Sequence, residues 1–269
     1  MMSQSTIPFD IGQYTNGVWS AEHGSAPAEK PVRLTVNGEH WLEFMCTPES
    51  LEALAVGFLY NEELIESAAG VAQLRVCPAG DNVDVWTVHT IGKPVQWRRT
   101  SSCAGGTPAT GIDLEPHDSE LPAPLSGLHV HFDDVTLTVS QINEMVFRLF
   151  QAQRLHRQSG GIHASALSDR RTLLLSCEDI GRLNTMDKLA GRVLLENIVE
   201  PRRAILTTGR ISSEMLQKAA RMGMTVVISF TAPTSLAVQQ ADNWGMTLIS
   251  YAHGERFKVY AHPERIEAR

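Results

Sequence analysis

The sequence predicts an α/β protein in two parts, a smaller N-terminal α+β part and a larger C-terminal part. After about residue 172, short apolar strands alternate with amphipathic helices, which is typical of a largely parallel sheet with helices on its faces. Between about residues 97 and 128 this rhythm is lost in a stretch rich in proline and glycine. We therefore divide the chain into residues 1–127 and 128–269.

The N-terminal part is expected to begin with a loose arm of about 30 residues, because Ser, Gly, Pro and Ala dominate it. A hairpin follows, in which Val32–Val36 and Glu39–Phe44 flank an Asn37-Gly38 turn. Thr47-Pro48 then predicts the N-terminus of a helix with apolar residues at helical spacing. Two more strands complete this part, at Leu74–Val76 and Val83–His89.

The C-terminal part is built from nine predicted elements. Helices are expected at Ile142–Phe150, Met186–Leu194, Ser213–Arg221 and Ser235–Trp244. Strands are expected at Thr172–Ser176, Ala204–Thr207, Thr225–Ser229, Thr247–Ser250 and, as a final edge strand, Arg256–Tyr260.

Small and polar residues follow four of these strands directly. Ligands of open α/β sheets bind beyond the carboxyl ends of the strands, so these segments are expected to line one ligand-binding edge. The four segments are Cys177–Asp179, Thr207–Arg210, Thr231–Thr234 and Tyr251–Gly254.

Composition restricts the class of protein. A formal net charge of −7 argues against capture of nucleic acid or acidic membranes, and no apolar run has the roughly 20 residues that span a bilayer. Met1–Tyr14 lacks the features of a signal peptide, so we expect a cytoplasmic protein. The four cysteines form no CxxC pair, and in a reducing compartment we expect free thiols and no protein-ligated metal.

Cys103 is the first candidate for chemistry. It follows Arg98 and Arg99, which can lower a thiol pKa, and it precedes the Gly105-Gly106 pair, which lets a loop move. The alternative is an incidental surface cysteine in a linker. Cys46 and Cys77 lie in strand-edge contexts where cysteine acts as a small apolar residue.

His163 follows Gly160-Gly161 and can donate a hydrogen bond or move a proton, or it can be structural. A zinc deaminase needs H-x-E here and P-C-x-x-C downstream. The chain has His163-Ala164-Ser165, and only Cys177 follows, so a metal-dependent hydrolase of that kind is disfavoured.

Two strand-to-helix segments can hold phosphate groups through backbone N–H groups. In the first, Glu178–Asn184, Arg182 and Lys188 can add positive charge, although Asp179 or Asp187 can instead cap the helix or pair with a cation. The second is Thr208–Ser212, with Gly209 and Arg210; neither is a P-loop or a G-x-G-x-x-G fingerprint. His253, Arg256 and Lys258 can bind a phosphate or a base, or form an ordinary solvated face.

An ordered set of motifs along the chain resembles the formate dehydrogenase accessory protein family (FdhD, also called NarQ). The motifs are Leu54–Leu59, Thr100–Cys103, Gly160–His163, Glu178–Arg182 with Asn184 and Asp187-Lys188, Thr208–Arg210, Ala232–Val238 and Val259–Ile266. The likeness spans most of the chain. It implies a homodimer whose larger domain has a cytidine-deaminase-like three-layer α/β/α fold without the metal.

The same resemblance implies a sulfur carrier. Cys103 matches the position that takes a persulfide from a cysteine desulfurase and passes sulfur to the molybdenum (or tungsten) bis-guanine-dinucleotide cofactor of formate dehydrogenase. The segment matching the guanine-dinucleotide contact consists of Tyr251, Ala252, His253, Gly254, Glu255 and Arg256. With it we expect Gly209, Arg210, Arg182 and His163 to hold the cofactor.

Two positions depart from the family pattern. Gly106 stands where members commonly carry the second cysteine of a C-x-x-C, and Leu183 stands in place of a histidine. These departures leave open an alternative function, a chaperone that binds the molybdenum cofactor without transferring sulfur.

Overall fold

The computed structural model describes residues 5–94, 97–98, 107–108, 136–199 and 204–267. The N-terminal residues form a hairpin of two strands, β1 (Thr6–Thr15) and β2 (Val18–Pro27). The predicted loose arm is therefore wrong. Asn16 and Gly17, both with positive φ, make the two-residue turn that this pairing needs, a signal hidden by the Ser- and Gly-rich composition.

A four-stranded sheet follows, with the order β4-β3-β6-β5. Its strands are β3 (Lys30–Val36), β4 (Glu39–Cys46), β5 (Val71–Val76) and β6 (Asn82–Thr87), and the Asn37-Gly38 hairpin turn is confirmed. Helix α1 (Leu51–Asn61) packs on one face, and a short 3-10 helix at Ala68–Gly70 precedes β5.

The N-cap of helix α1 lies three residues later than expected. Ser50 is its N-cap residue, whereas Thr47 bonds a distant part of the chain: its backbone N–H donates to Asp179 Oδ2 at 3.1 Å. The Thr47-Pro48 signal therefore marked the right helix but the wrong first residue, because tertiary hydrogen bonds hold Thr47.

Strands β7 (Trp97–Arg98) and β8 (Thr107–Pro108) pair with each other, and Cys103 lies between them in the sequence, outside the described residues. The boundary predicted at 127/128 also lies outside them. Strand β9 (Leu137–Thr138) pairs with β16 (Ile266–Glu267), which follows a 3-10 helix at Pro263–Arg265.

A six-stranded sheet forms the larger part, with the order β11-β10-β12-β13-β14-β15. Only β12–β13 and β13–β14 are parallel, so the predicted largely parallel sheet is wrong; the sheet is mixed. The strands are β10 (His163–Ser168), β11 (Leu173–Asp179), β12 (Ala204–Thr207), β13 (Val226–Ser229), β14 (Thr247–His253) and β15 (Arg256–Ala261).

Strand β10 was missed in the sequence. Its residues HASALS are mostly small and show neither clear alternation nor an apolar run, although the strand lies between β11 and β12 inside the sheet. It runs antiparallel to both β11 and β12. Strands β11 and β12 therefore run in the same direction, and their carboxyl ends lie at the same edge of the sheet.

Helices cover both faces of this sheet. One face packs on α4 (Arg182–Leu195), α5 (Ser213–Arg221) and α6 (Ser235–Asn243), and the other on α2 (Val139–Ala152), which is followed by the short α3 (Arg154–Ser159). Apolar side chains fill both layers, as the α/β prediction requires.

Helices α1 and α4 cross closely and join the two sheets. A Cβ atom on Gly57 would lie 1.8 Å from the Asp187 carbonyl oxygen, and one on Gly191 would lie 1.9 Å from that of Ala53. Glycine is required at both positions, since any side chain would push the backbones apart. Helix α4 thus contacts both the four-stranded sheet's helix and the six-stranded sheet.

Candidate functional site

The strand ends predicted to form a ligand-binding edge meet at one edge of the six-stranded sheet. His163, the first residue of β10, is in register with Asp179, the last residue of β11. Thr207 at the end of β12 is in register with Ser229 at the end of β13, and β14 runs parallel beside them. We call this the carboxyl edge: the start of β10, the ends of β11–β14 and the residues that follow them.

Three of the predicted site residues are neighbours at the carboxyl edge. Arg182, the first residue of α4, is buried, and a Cβ atom on Gly209 would lie only 2.9 Å from its Cβ. Arg210 follows and is exposed to solvent. The missing side chain of Gly209 thus lets the turn after β12, which continues into Arg210, approach the start of α4, where Arg182 lies.

Buried hydroxyl groups hold this turn in place. Ser165 Oγ donates to Thr207 Oγ1 at 3.0 Å and lies 2.6 Å from Thr185 Oγ1. Thr207 Oγ1 also accepts from the Gly209 N–H at 3.1 Å, and Ser229 Oγ donates to the Gly209 carbonyl at 2.7 Å. Both backbone groups of Gly209 are therefore fixed from below.

Of these hydroxyl residues, only Thr207 was predicted from the sequence to lie at the ligand-binding edge; Ser165, Thr185 and Ser229 were not. Serine or threonine at consecutive strand ends is a weak signal, because the same residues are common in turns. Only the register of β10, β12 and β13 shows that they bond one another.

His163 is half-buried beside the two arginines. Burial lowers its pKa below the ordinary histidine value, and Arg182 and Arg210 lower it further, while Asp179 opposes them. The neutral imidazole is therefore favoured at neutral pH, and it offers one hydrogen-bond donor and one acceptor at the carboxyl edge.

The predicted guanine-contact segment forms the turn between β14 and β15. His253 pairs with Arg256 across Gly254 and Glu255, all four are exposed, and Ala252 is buried beneath them. Tyr251 has a positive φ of 53°, at an irregularity in the β14–β15 pairing. This non-glycine backbone strain is of the kind that clusters at ligand sites.

Aromatic and basic side chains surround this turn. Lys258 Nζ lies 4.7 Å from the centroid of the Tyr251 ring, and the His253 ring lies 5.5 Å from that of Phe230. The turn therefore presents ring faces together with positive charge, which suits a base that carries phosphate groups.

Lys188 does not reach the surface of the carboxyl edge. It is buried, with Nζ 2.6 Å from Asp179 Oδ2, so its predicted contribution to phosphate binding is wrong and the alternative of Asp179 pairing with a cation holds. Asp187 likewise pairs with Lys218 at 2.8 Å. Asp179 also accepts from the Gly181 N–H at 2.8 Å, which occupies one donor at the start of α4.

Three cysteines lie among the described residues. Cys46 and Cys177 are buried, and burial raises the pKa of the Cys177 thiol to about 11. Cys77 is half-buried, and its Sγ donates to Asp81 Oδ1 at 2.8 Å. Cys177 is therefore a poor nucleophile at neutral pH, since the thiolate is the reactive form.

Within the described ranges, no three His, Cys, Asp or Glu side chains are grouped as a metal site. No helix in the same ranges combines the length and apolarity needed to cross a membrane.

Fold and site together define an α/β protein with an accessible sheet edge that carries arginine, histidine and aromatic side chains. The sequence profile of the FdhD/NarQ family matches residues 27–267. The chain belongs to the FdhD/NarQ family, which confirms the resemblance inferred from the motifs.

Similar proteins match over nearly the whole chain. The sulfur carrier protein FdhD of Bacillus subtilis (strain 168) is 32% identical over 280 residues, covering 99% of both chains. The sulfur carrier protein FdhD of Staphylococcus haemolyticus (strain JCSC1435) is 32% identical over 271 residues, with 100% of this chain and 97% of that protein covered.

A solved structure shares the fold. The crystal structure of a protein from Desulfotalea psychrophila, assigned as a formate dehydrogenase accessory protein, superposes with a TM-score of 0.74 at 24% sequence identity. The match covers 98% of this chain and 100% of that chain.

Proposed function

We propose that the protein is a sulfurtransferase that carries sulfur on Cys103 and binds a molybdenum bis-guanine-dinucleotide cofactor as its cargo at the carboxyl edge. The observation that carries the proposal is that Arg182, Arg210 and His163 lie along the same sheet edge as the aromatic turn after β14. The full-length relatives named as sulfur carriers support the sulfur chemistry.

In the first step, the Cys103 thiolate attacks the outer sulfur of a cysteine desulfurase persulfide. The donor S–S bond breaks, the desulfurase cysteine leaves as a thiolate, and Cys103 becomes a persulfide without net oxidation. Handing this sulfur to the cargo as sulfide takes two electrons. A separate thiol supplies them by forming a disulfide with Cys103, because Gly106 occupies the position of the family's second cysteine.

The carboxyl edge fits the other part of the cargo. Guanidinium groups bind phosphate in a fork geometry, and the start of α4 favours negative charge. The rings of Tyr251 and His253 offer faces on which guanine can stack. These residues would hold the guanine dinucleotides while Cys103 meets the metal end.

Sulfur loading tests the proposal directly. The protein is incubated with a cysteine desulfurase and cysteine, and its intact mass is compared with those of Cys103→Ala and of Cys77→Ala as a matched control. We expect one added sulfur, removed by a reductant, in the wild type and in Cys77→Ala but not in Cys103→Ala. Loading that persists in Cys103→Ala would reject the carrier role of this residue.

A second candidate function is a chaperone that binds the cofactor without transferring sulfur. Gly106 favours it, since no second loop cysteine is present to relay sulfur. This function predicts guanine-nucleotide binding that matches the wild type in Cys103→Ala, together with full activation of formate dehydrogenase by that variant. The sulfur carrier instead predicts normal nucleotide binding with no activation.

We also propose a homodimer in which the hairpin β1–β2 contacts the second copy. Ile7, Phe9 and Ile11 point to one side of the hairpin and are 44%, 52% and 44% exposed. The other side approaches α3, where Ser25 Oγ donates to the Gln158 carbonyl. A two-stranded hairpin with an exposed apolar side is marginal in water, so a covering partner would stabilise it.

Light scattering after size exclusion tests this contact. We expect a dimer for the wild type and a shift to monomer for Phe9→Ser. Val88→Ser, which changes an apolar side chain of similar exposure outside the hairpin, serves as the control and should remain dimeric. A monomeric wild type would reject the homodimer.

The proposal includes the cytidine-deaminase-like layout for the six-stranded sheet and its helices, a cytoplasmic location, and formate dehydrogenase as the enzyme that receives the cofactor.

A further inference from the structure

A buried ion pair lies directly beneath the carboxyl edge. Asp179 ends β11 and is 0% exposed, and Lys188 on α4 is 1% exposed, with Nζ 2.6 Å from Asp179 Oδ2. Removing two charges from water is costly, and breaking such a pair by deleting one partner is strongly destabilising. Because a buried ion pair adds little net stability, we look for a role of this pair in the neighbouring candidate site.

Every hydrogen-bonding group of the pair is used. The Asp179 carboxylate accepts from the Thr47 N–H at 3.1 Å, the Gly181 N–H at 2.8 Å and Asn184 Nδ2 at 2.9 Å. Lys188 Nζ donates to the Thr47 carbonyl at 2.9 Å and more weakly to the Glu178 carbonyl at 3.3 Å. The pair thus ties three separate chain segments together.

Two of these segments, the end of β11 and the start of α4, adjoin the candidate site. Asp179 is in register with His163, and Gly181 immediately precedes Arg182, the first residue of α4. Because Arg182 packs against Gly209, moving the start of α4 would move the guanidinium and release the turn after β12.

The third segment is the end of β4 in the four-stranded sheet. Asn184 Nδ2 donates to the Met45 carbonyl at 2.9 Å, and Thr47 Oγ1 accepts from the Ile180 N–H at 3.3 Å. The loop between β11 and α4 is therefore bonded to the part of the chain that precedes Cys103.

A second buried pair on the same helix provides a contrast. Asp187 accepts from Lys218 Nζ at 2.8 Å and from Asn61 Nδ2 at 2.7 Å, and Lys218 also pairs with Glu62 at 2.7 Å. These partners come from α5 and from the end of α1, away from the carboxyl edge. Both clusters are buried and the second has one more carboxylate, Glu62, but only the first adjoins the candidate site.

We propose that Asp179 and Lys188 are positioning residues for the anionic part of the cargo. They fix the first turn of α4, and with it Arg182, against the turn that carries Gly209 and Arg210. This inference rests on the proposed function, because it assigns the pair a role in holding the phosphate groups of the guanine dinucleotide.

The test compares Lys188→Met with Lys218→Met in the full chain, with GDP and guanosine as probes in calorimetry. Lys188→Met leaves one buried carboxylate without its lysine and Lys218→Met leaves two, so both variants should unfold at a lower temperature. We expect GDP affinity to fall at least about tenfold in Lys188→Met and less than about twofold in Lys218→Met. Guanosine affinity and persulfide loading of Cys103 should be unchanged in both.

The possible results are distinguishable. Equal GDP affinity in folded Lys188→Met and in wild type, or equal losses in the two variants, would overturn the positioning role while leaving the proposed function intact. A wild type that binds neither GDP nor guanosine would instead reject the cargo site of the proposed function.

A milder variant covers the case in which Lys188→Met does not fold. Asn184→Ala removes bonds to Asp179 and Met45 but leaves the ion pair intact. We expect a loss of GDP affinity of about threefold or more with guanosine binding retained. Unchanged GDP binding in this folded variant would also contradict the positioning role.

Discussion

At the carboxyl edge, buried hydroxyl and charged groups bond one another beneath exposed basic side chains, whereas the hairpin β1–β2 exposes apolar side chains on a surface that nothing in the described chain covers. In the first region, buried hydrogen bonds hold the backbone in place and basic side chains are exposed above it, which suits the binding of a small anionic ligand. The second has little packing of its own, as a surface that gains stability from contact requires. The difference suggests that small-molecule binding and protein contact occupy separate regions.

A large effect on stability is expected in the core below the carboxyl edge. Leu206 on β12 is fully buried in the layer shared with α2, and Leu206→Ala should lower the free energy of unfolding by about 2–5 kcal/mol. Chemical denaturation followed by circular dichroism measures this. A loss below about 1 kcal/mol would mean that the layer is less tightly packed than the structure indicates.

A binding effect is expected next, at the turn after β12. In Gly209→Val, the new Cβ would lie 2.9 Å from the Arg182 Cβ and two methyl groups would be added to it, so Arg182 must shift. We expect GDP affinity to fall about tenfold, or about 1.4 kcal/mol, by calorimetry. Gly92→Ala, where a Cβ meets nothing within 4 Å, is the control and should bind like the wild type.

A smaller effect is expected at the tip of the hairpin. Trp19 is 71% exposed and contacts Tyr14 with ring centroids 5.3 Å apart. Trp19→Ala should change the unfolding free energy by less than about 1 kcal/mol, whereas Trp41→Ala, at a buried position, should cost about 3–5 kcal/mol. Similar losses at the two positions would show that the hairpin is more firmly packed than its exposure indicates.

No reaction is expected at Cys177. With a thiol pKa of about 11, roughly a thousandth of it is thiolate at pH 8, and the side chain is buried as well. Brief treatment of the folded protein with iodoacetamide at pH 8, followed by peptide mass analysis, should leave Cys177 unmodified. The thiolate fraction grows as the pH rises toward 11. Labelling of Cys177 already at pH 8 would contradict the burial of this thiol.

Parts of the fold were predictable because their signals are local. The Asn37-Gly38 hairpin, helix α5 and strand β12 agree with the structure since turn chemistry and apolar periodicity lie within a few residues. Strand β10 was missed because its small side chains have no clear period. The first hairpin was missed because composition was given more weight than its Asn16-Gly17 turn.

The sequence alone determined which polar residues follow which strands, and hence that Gly209, Arg210 and the Tyr251–Gly254 segment are candidates for one edge. The family resemblance, also read from the sequence, added His163 and Arg182 to this candidate site. Only the tertiary structure decided which strands pair and which side chains contact one another. Antiparallel β10 beside β12, Asp179 and Lys188 bonded to Thr47, and Gly209 against Arg182 each join segments far apart in the chain. Such contacts depend on how whole layers pack, which neither periodicity nor motif spacing encodes.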